Sequence, residues 1–587
     1  MADDHEFRIR PGRIRSPQAQ RAKPFIAQVL AAARKEGAGV SRAGRVVAGN
    51  RSRFGKGQRA AIQANRFITA RTRGAVVKAR VVRHSARAAP LSAHLNYLRR
   101  EGVTRAENEV GHAASLEKAR LLGPGTEDAD PKAFADRCKD DRHHFRFIVS
   151  PDDALEMSDL RSFTRELVSQ MEKDLGSRLD WIAVDHWNTG HPHVHLIVRG
   201  VRDDGEDLVI SRDYIKEGMR DRACDLITQE LGPRTDLDIR RDLSAQVEAE
   251  RWTRLDRQLV RDGRDGVIDM APAPDRQPDE YHAQKVGRLR KLEGFGLAVE
   301  IGPGQWVIDD KAEATLRELG ERGDIIKRMH RALTERGIER GSASYVLAGE
   351  SLDVPVIGRL VDRGLDDELR GSAYAVVDGV DGRTHHIKLP DLDAAGDSAP
   401  GSIVELRRFE DAKGERRVAI AVRSDLDIDR QITASGATWL DRQNIAREPV
   451  ALSDGGFGAE VRHALDARAD HLVEQGLAER SGQRVTFRRN LIETLRAREL
   501  EALGEKLSAE TGQPFNRAGG GEYVAGTYRQ RFTLASGRFA MIDDGMGFQL
   551  VPWTPSLEKQ LGRHVSGVAR DDGGVDWSFG RKRGLGL

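Results

Sequence analysis

The chain has 587 residues, of which 39% are hydrophobic and 32% are charged, and its formal net charge is +3. This length predicts about three to five domains, and no stretch approaches the roughly 18 consecutive apolar residues that a membrane helix requires. The first residues hold no apolar signal core, and Cys138 and Cys224 form neither a CxxC pair nor a zinc spacing. We therefore expect a cytoplasmic protein with reduced thiols and no membrane insertion.

Charge is distributed unevenly along the chain. Residues 1–90 contain 21 Lys and Arg against 4 Asp and Glu, so the remainder is net acidic. A basic arm of this kind indicates a polyanionic partner, with nucleic acid as the leading candidate, although a solubilising tail has the same composition. Residues 1–72 lack hydrophobic periodicity and are predicted to be mostly disordered.

Residues 73–235 carry the first regular pattern and are predicted to form one domain. Residues 103–140 look like an irregular insertion between its elements. We expect strands at 75–83, 144–149, 181–185 and 193–201, and helices at 91–101, from about 160 to 175, and 213–231. Strands and helices mix without regular βαβ alternation, which predicts an α+β fold whose sheet is rich in antiparallel pairs and has helices on one face.

The rest of the chain is predicted to contain four further segments. They are a charged helical linker (236–280), a helical, winged-helix-like module (281–345), a small β-barrel-like domain (346–430) and an α+β region with a basic tail (431–587). The sequence Gly-Leu-Ala occurs at 296–298 and again at 476–478, each time between a helix and a hairpin pattern. This arrangement is typical of winged-helix modules, which bind DNA, but also of small protein-contact units.

The densest chemical pattern is DHWNTGHPHVHLIVR, residues 185–199. His193 and His195 lie two residues apart on a predicted strand and therefore on one face. A turn at Thr189-Gly190 returns the preceding strand alongside, which brings His186 next to the pair. Three imidazoles at one point predict a divalent-metal site with open coordination positions, as catalytic metal sites have.

A metal site and a basic arm together suggest a phosphodiester substrate, which requires a nucleophile. Tyr97 is one of only seven tyrosines and lies in the sequence HLNYLRREG. In the predicted helix it lies off the buried stripe of leucines, close to Arg100. Nearby cations favour the phenolate, which is the better nucleophile.

These segments resemble the conjugative relaxases of the His-hydrophobic-His endonuclease superfamily, and most of all the branch of the T-DNA border endonuclease. HLNYLRREG resembles the motif that holds the nucleophilic tyrosine, FRFIVSP the second motif, and HWNTGHPHVHLIVRG the metal motif. The resemblance implies Tyr97 as the catalytic residue. It implies His186, His193 and His195 as metal ligands and His191 as a neighbouring non-ligand. We expect Asp185 to orient the ligands by hydrogen bonding without binding the metal itself, and Arg99, Arg100 and Arg146 to contact phosphates.

Membership of this group would imply a site- and strand-specific reaction at a plasmid transfer origin, with a 5′-phosphotyrosyl intermediate and Mg²⁺ or Mn²⁺ as cofactor. The implied partners are single-stranded DNA, accessory relaxosome proteins and the coupling protein of a type IV secretion system, with export to a recipient cell. Two alternatives remain open. One is a metal-independent, histidine-triad-like nucleotide hydrolase, and the other is a non-catalytic DNA-binding protein.

Overall fold

The computed structural model describes most of the chain after residue 70. The described residues are 38–40, 46–48, 71–84, 91–101, 119–187, 192–263, 266–271, 281–347, 355–367, 369–410, 416–482, 484–517, 519–558, 560–570 and 574–578. Two compact units are present, Met1–Thr315 and Leu316–Leu587. The predicted basic arm lies outside the described residues except for two short paired strands, β1 (Ala38–Val40) and β2 (Val46–Ala48), and residues 71–72. The basic tail from residue 579 also lies outside them.

A four-stranded antiparallel sheet forms the centre of the predicted 73–235 domain. Its strands are β3 (Ala75–Arg83), β4 (His143–Pro151), β5 (Trp181–His186) and β6 (His193–Arg199). The order across the sheet is β3-β4-β6-β5, so the hairpin of β5 and β6 is followed by β4 and then by the edge strand β3. These strands and helices confirm the α+β class.

Four helices pack on this sheet. They are α1 (Leu91–Glu101), α2 (Pro131–Arg137), α3 (Leu160–Leu175) and α4 (Met219–Leu231), the last preceded by a π-helical turn, Tyr214–Gly218. The sequence determines the limits of α3 locally. Asp159 accepts hydrogen bonds from the amides of Arg161 and Ser162 at the start, and Gly176 adopts a left-handed conformation at the end.

The helices cover both faces of the sheet, and the prediction that they lie on one face is wrong. On one face, α3 and α4 pack against residues such as Phe147, Ala183 and Leu196. On the other, Leu95 and Leu98 of α1 pack against Ile182, Val184 and Ile197. Strands covered on both sides are apolar at consecutive positions, and the burial of all six residues of β5 fits this arrangement.

The remainder of the first unit contains helices and a small sheet. Helices α5 (Asp236–Glu248), α6 (Arg254–Asp262) and α7 (His282–Gly294) are accompanied by strands β7 (Val267–Asp269), β8 (Ala298–Gly302) and β9 (Gln305–Ile308). The sheet order is β7-β9-β8. The segment read as a linker thus contains two helices, α5 and α6, and the strand β7.

The segment predicted to be a β-barrel forms an open six-stranded sheet. Its strands are β10 (Tyr345–Val346), β11 (Val356–Asp367), β12 (Ser372–Gly379), β13 (Thr384–Leu389), β14 (Ile403–Glu410) and β15 (Arg416–Ser424). The order is β10-β13-β12-β11-β14-β15, and within the described residues the two edge strands do not pair. The barrel prediction is therefore wrong, because strand patterning gives the number of strands but not whether a sheet closes.

A second sheet and further helices complete the second unit. The sheet contains β18 (Tyr523–Leu534), β19 (Gly537–Asp543), β20 (Phe548–Pro552), β21 (His564–Ala569) and β22 (Val575–Ser578). A separate hairpin is formed by β16 (Ala478–Ser481) and β17 (Arg484–Phe487). The helices are α8 (Ala312–Thr334, which begins in the first unit), α9 (Leu392–Ala395), α10 (Ile428–Ile432), α11 (Trp439–Asn444), α12 (Gly456–Glu474), α13 (Leu491–Thr511) and α14 (Pro555–Glu558). No helix in the described part of the chain is long and apolar enough to cross a membrane.

The two Gly-Leu-Ala segments belong to a repeated structural unit. In the first copy, Arg288 of α7 is fully buried and bonded to both carboxylate oxygens of Asp256 and to three backbone carbonyls. In the second copy, Arg468 of α12 makes the same set of bonds around Asp441. Each aspartate also closes a capping box with a threonine three residues earlier. The shared anchor shows that the repeat extends well beyond the Gly-Leu-Ala motif.

Candidate active site

The structure brings three predicted site residues together on the face of the sheet that α1 covers. His186 ends β5 and lies directly opposite His193 of β6, while His195 follows two residues later on the same face. All three are buried, and one nitrogen of each lies within 4.8 Å of the others. The Nε2 atoms of His193 and His195 are 3.2 Å apart. At this distance one imidazole can donate a hydrogen bond to the other, or both lone pairs can face one cation.

Helix α1 contacts this cluster through its backbone. The Nε2 atom of His186 lies 3.3 Å from the carbonyl oxygen of Leu98, and the Leu98 side chain is buried in the core below. Tyr97 precedes Leu98 in α1, so its backbone is adjacent to the point of contact. The side chains of Tyr97 and Arg100 are outside what the structure describes.

Two predicted neighbours of the metal site have different outcomes. Asp185 is buried on the opposite face of β5, where its carboxylate accepts a hydrogen bond of 2.7 Å from the indole of Trp187. Strand alternation explains this position, because residues adjacent in a strand point to opposite faces. The carboxylate of Asp185 thus holds the Trp187 indole, and its orienting role toward the imidazoles stays a prediction. His191 lies outside the described residues.

The arginines predicted to contact phosphates lie on different elements. Arg146 lies on β4, on the same face as the histidine cluster, whereas the Nε of Arg99 donates to the carbonyl of Ala119. Arg146 donates to Nε2 of His144, whose Nδ1 lies 2.6 Å from Nε2 of His84. Burial lowers the pKa of His144 to about 3, with further contributions from the charges of Arg146 and His84. Sequence reasoning missed this histidine pair, and the neighbouring histidines at 143 and 144 were the only indication of it.

The donor set of the cluster fits a divalent transition ion. Imidazole nitrogens suit first-row transition metals, whereas Mg²⁺ prefers oxygen ligands and retains water. Of the two ions predicted from the sequence, Mn²⁺ therefore fits these residues better. Three protein ligands also leave coordination positions for a substrate oxygen.

Comparison with known families identifies the class of this domain. Residues 127–232 match the family model of the relaxase described as MobA/VirD2-like, nuclease domain. The match includes β4 to β6 and the three clustered histidines, and it begins after α1 and Tyr97. This match supports the relaxase superfamily for the domain and a relaxase-type DNA-nicking function in general.

A second family model matches residues 285–413 and 405–586, which together exceed half of the chain. The chain belongs to that family, which is described as Protein of unknown function (DUF3363). Among curated proteins and solved structures, no match is found.

Proposed function

We propose that the protein is a relaxase that cuts one DNA strand at a plasmid transfer origin, with Tyr97 as the nucleophile and His186, His193 and His195 as metal ligands. We place it nearest to the branch of the T-DNA border endonuclease. One observation carries the proposal: three buried imidazoles converge beside the carbonyl of Leu98, the residue that follows Tyr97. A nucleophile at this position in α1 would lie next to the metal site.

Elimination supports Tyr97 as the nucleophile. The predicted nuclease domain contains only one other tyrosine, Tyr214. Tyr214 packs against the core on the opposite face of the sheet, and its hydroxyl donates to Asp174 over 2.9 Å. Burial and this carboxylate raise the pKa of Tyr214 above its usual value. A phenol with a raised pKa is a poor nucleophile at neutral pH.

The proposed reaction exchanges one phosphoester bond for another. The phenolic oxygen of Tyr97 attacks the scissile phosphorus and loses its proton, and the bond from phosphorus to the 3′ oxygen breaks. The 3′ oxygen takes up a proton and becomes a free hydroxyl, while the 5′ side stays attached to the tyrosine. Because the phosphodiester is conserved, the step needs no ATP and its reverse rejoins the strand.

The remaining groups bind and position the DNA. A divalent ion held by the three histidines would supply Lewis-acid stabilisation of charge on the phosphate oxygens. Arg146 lies on the same sheet face and would contact the strand near this point, and Arg99 and Arg100 would extend the contact along α1. We further propose accessory relaxosome proteins and a type IV coupling protein as partners, with export of the protein on the transferred strand.

A nicking assay on supercoiled plasmid that carries the transfer origin tests the proposal. We expect relaxed circles with protein bound to the 5′ end, and we expect none from Tyr97→Phe. Tyr214→Phe is the matched control, because it removes a hydroxyl from the same domain on the opposite face, and it should nick at the wild-type rate. Full nicking by Tyr97→Phe, or nicking that survives chelation of divalent metals, would contradict the proposal.

A further inference from the structure

The histidine face of the nuclease sheet ends at the exposed edge strand β3, to which the proposed function assigns no role. Helix α1 packs over β5 and β6, whereas the edge strand β3 exposes Lys78 and Arg80, and Arg146 of β4 is half-buried. We call Lys78, Arg80 and Arg146 the basic row.

Strand register fixes the position of the basic row relative to the histidines. Lys78 is paired with Ile148, and Ile148 is paired with His195, so the three residues form one line across the sheet. Two strand spacings of about 4.8 Å place Lys78 roughly 10 Å from His195, measured between backbones. Arg80 pairs directly with Arg146 in the adjacent line.

Side-chain alternation puts the basic row on the histidine face. Val77 and Ala79 pack against the core on the other side of the sheet, so Lys78 and Arg80 between them point to the histidine side. On this face, β3 and β4 carry only apolar residues, Ser150 and His144 besides the basic row, and no carboxylate. The complete set is Val76, Lys78, Arg80, Val82, His144, Arg146, Ile148 and Ser150.

The basic row places two like charges side by side. Arg80 and Arg146 are cross-strand neighbours, and like charges at directly opposed positions destabilise a sheet. Burial, and then the charge of Arg80, lower the pKa of Arg146 to about 10. Within the described residues neither Lys78 nor Arg146 forms an ion pair with a carboxylate. A phosphate bound between the two strands would interact favourably with both guanidinium groups.

We propose that Lys78, Arg80 and Arg146 bind the sugar-phosphate backbone of a single DNA strand and hold it across β4 and β3, beside the histidine cluster. The inference rests on the proposed function, because it names the surface that holds the substrate of that same site. Lys78 and Arg80 had no role in the sequence prediction, which gave only their strand.

Salt-dependent binding of a labelled single-stranded oligonucleotide to the full chain tests the basic row. We expect Lys78→Gln and Arg80→Gln each to weaken binding about fivefold at 0.1 M salt. Each should also reduce the slope of log affinity against log salt by about 0.7, the value for one lost single-strand phosphate contact. The measurement is fluorescence anisotropy between 0.05 and 0.3 M salt.

Arg83→Gln is the matched control. Arg83 is exposed at the end of the same strand, and its replacement removes the same charge. Side-chain alternation, however, places Arg83 on the opposite face of the sheet. It should retain the wild-type affinity and slope. Equal effects of Arg80→Gln and Arg83→Gln, or a wild-type slope for Arg80→Gln, would overturn the inference.

The outcomes separate this inference from the proposed function. If the wild type nicks plasmid but Arg80→Gln keeps the wild-type salt slope of binding, the DNA-binding role of the basic row is wrong and the nuclease proposal stands. If the wild type nicks no DNA, but Arg80→Gln reduces the salt slope of binding and Arg83→Gln does not, the binding surface stands and the cleavage chemistry is wrong.

Discussion

At the scale of single residues, the histidine cluster links the sheet to the helix that carries Tyr97. His193 and His195 face one another through their Nε2 atoms, and His186 lies against the backbone of α1. Since each imidazole is buried, its position is set by the strands rather than by solvent.

Replacement of one ligand should separate metal binding from DNA binding. We expect Mn²⁺ to raise the melting temperature of the wild type, because an ion bound only by the folded state stabilises it, and His193→Ala to abolish this shift. The same variant should lose nicking but keep most of its affinity for single-stranded DNA. A melting temperature that still rises with Mn²⁺ in His193→Ala would contradict the assigned ligands.

Buried His144 predicts a pH-dependent stability. Its pKa is lowered to about 3 in the fold, whereas an unfolded histidine has a pKa of about 6.5. Between these values the unfolded chain binds the extra proton, so the free energy of unfolding falls as the pH drops below about 6.5. From pH 7 to pH 5 the loss should be about 2 kcal/mol.

Denaturant unfolding of the wild type and His144→Gln at both pH values measures this effect. The neutral variant should lose less stability on acidification than the wild type. Identical losses would mean that His144 is protonated in the folded protein.

Much of the site could be predicted from residue spacing, and the failures have physical reasons. Period-two spacing correctly predicted that His193 and His195 share a face, and the expected antiparallel pairing of the two strands correctly placed His186 beside them. The same alternation places Asp185 on the other face, where it bonds to Trp187. Nothing in the sequence singles out Lys78 and Arg80, because their position relative to the histidines depends on the pairing of β3 with β4, which no local pattern reveals.

At the scale of secondary-structure elements, the repeated unit has an unusual anchor. Arg288 and Asp256 are both fully buried, and the arginine also donates hydrogen bonds to three backbone carbonyl oxygens. The equivalent pair of Arg468 and Asp441 recurs in the second unit. A buried charge is tolerated only when it is paired and hydrogen-bonded. We therefore infer that the Arg288–Asp256 pair holds α6 against α7, and that the Arg468–Asp441 pair holds α11 against α12.

Removal of one partner should be costly in both copies. Asp256→Asn leaves the Arg288 charge buried without its partner, which should lower the free energy of unfolding by about 3–5 kcal/mol, and Asp441→Asn should act similarly. Lys291→Ala is a control, because it breaks the exposed ion pair with Glu248 and should cost less than about 1 kcal/mol. Comparable effects of Asp256→Asn and Lys291→Ala in denaturant unfolding would refute the anchoring role.

Element limits were predictable where local chemistry sets them. The strand at 75–83 and the helix at 91–101 were predicted to the residue. The packing of helices on the second face of the sheet was not predicted, because the sequence of residues 103–140 resembles an irregular insertion. Leu121 and Phe134 from that region pack with α1 in one core. A segment this short has no hydrophobic periodicity from which such long-range packing could be predicted.

At the scale of the whole molecule, the segment that matches the relaxase nuclease family precedes a longer region that matches the family of unknown function, and a basic segment precedes both. The charge of residues 1–70 suits a general attraction for DNA, separate from the geometry of the site. Deletion of residues 1–70 should weaken single-strand binding and reduce its salt slope, while nicking persists at saturating DNA. Anisotropy and nicking assays on the truncated chain check this, and an unchanged affinity would contradict it.

The covalent intermediate offers the most direct test of the central claim. After reaction with DNA that carries the transfer origin, the protein is digested with trypsin and its nucleotide-linked peptides are identified by mass spectrometry. We predict a phosphodiester link between DNA and Tyr97, in the peptide of residues 88–99. A link to any other residue, such as Tyr214, or cleavage without a protein-linked 5′ end, would contradict the account.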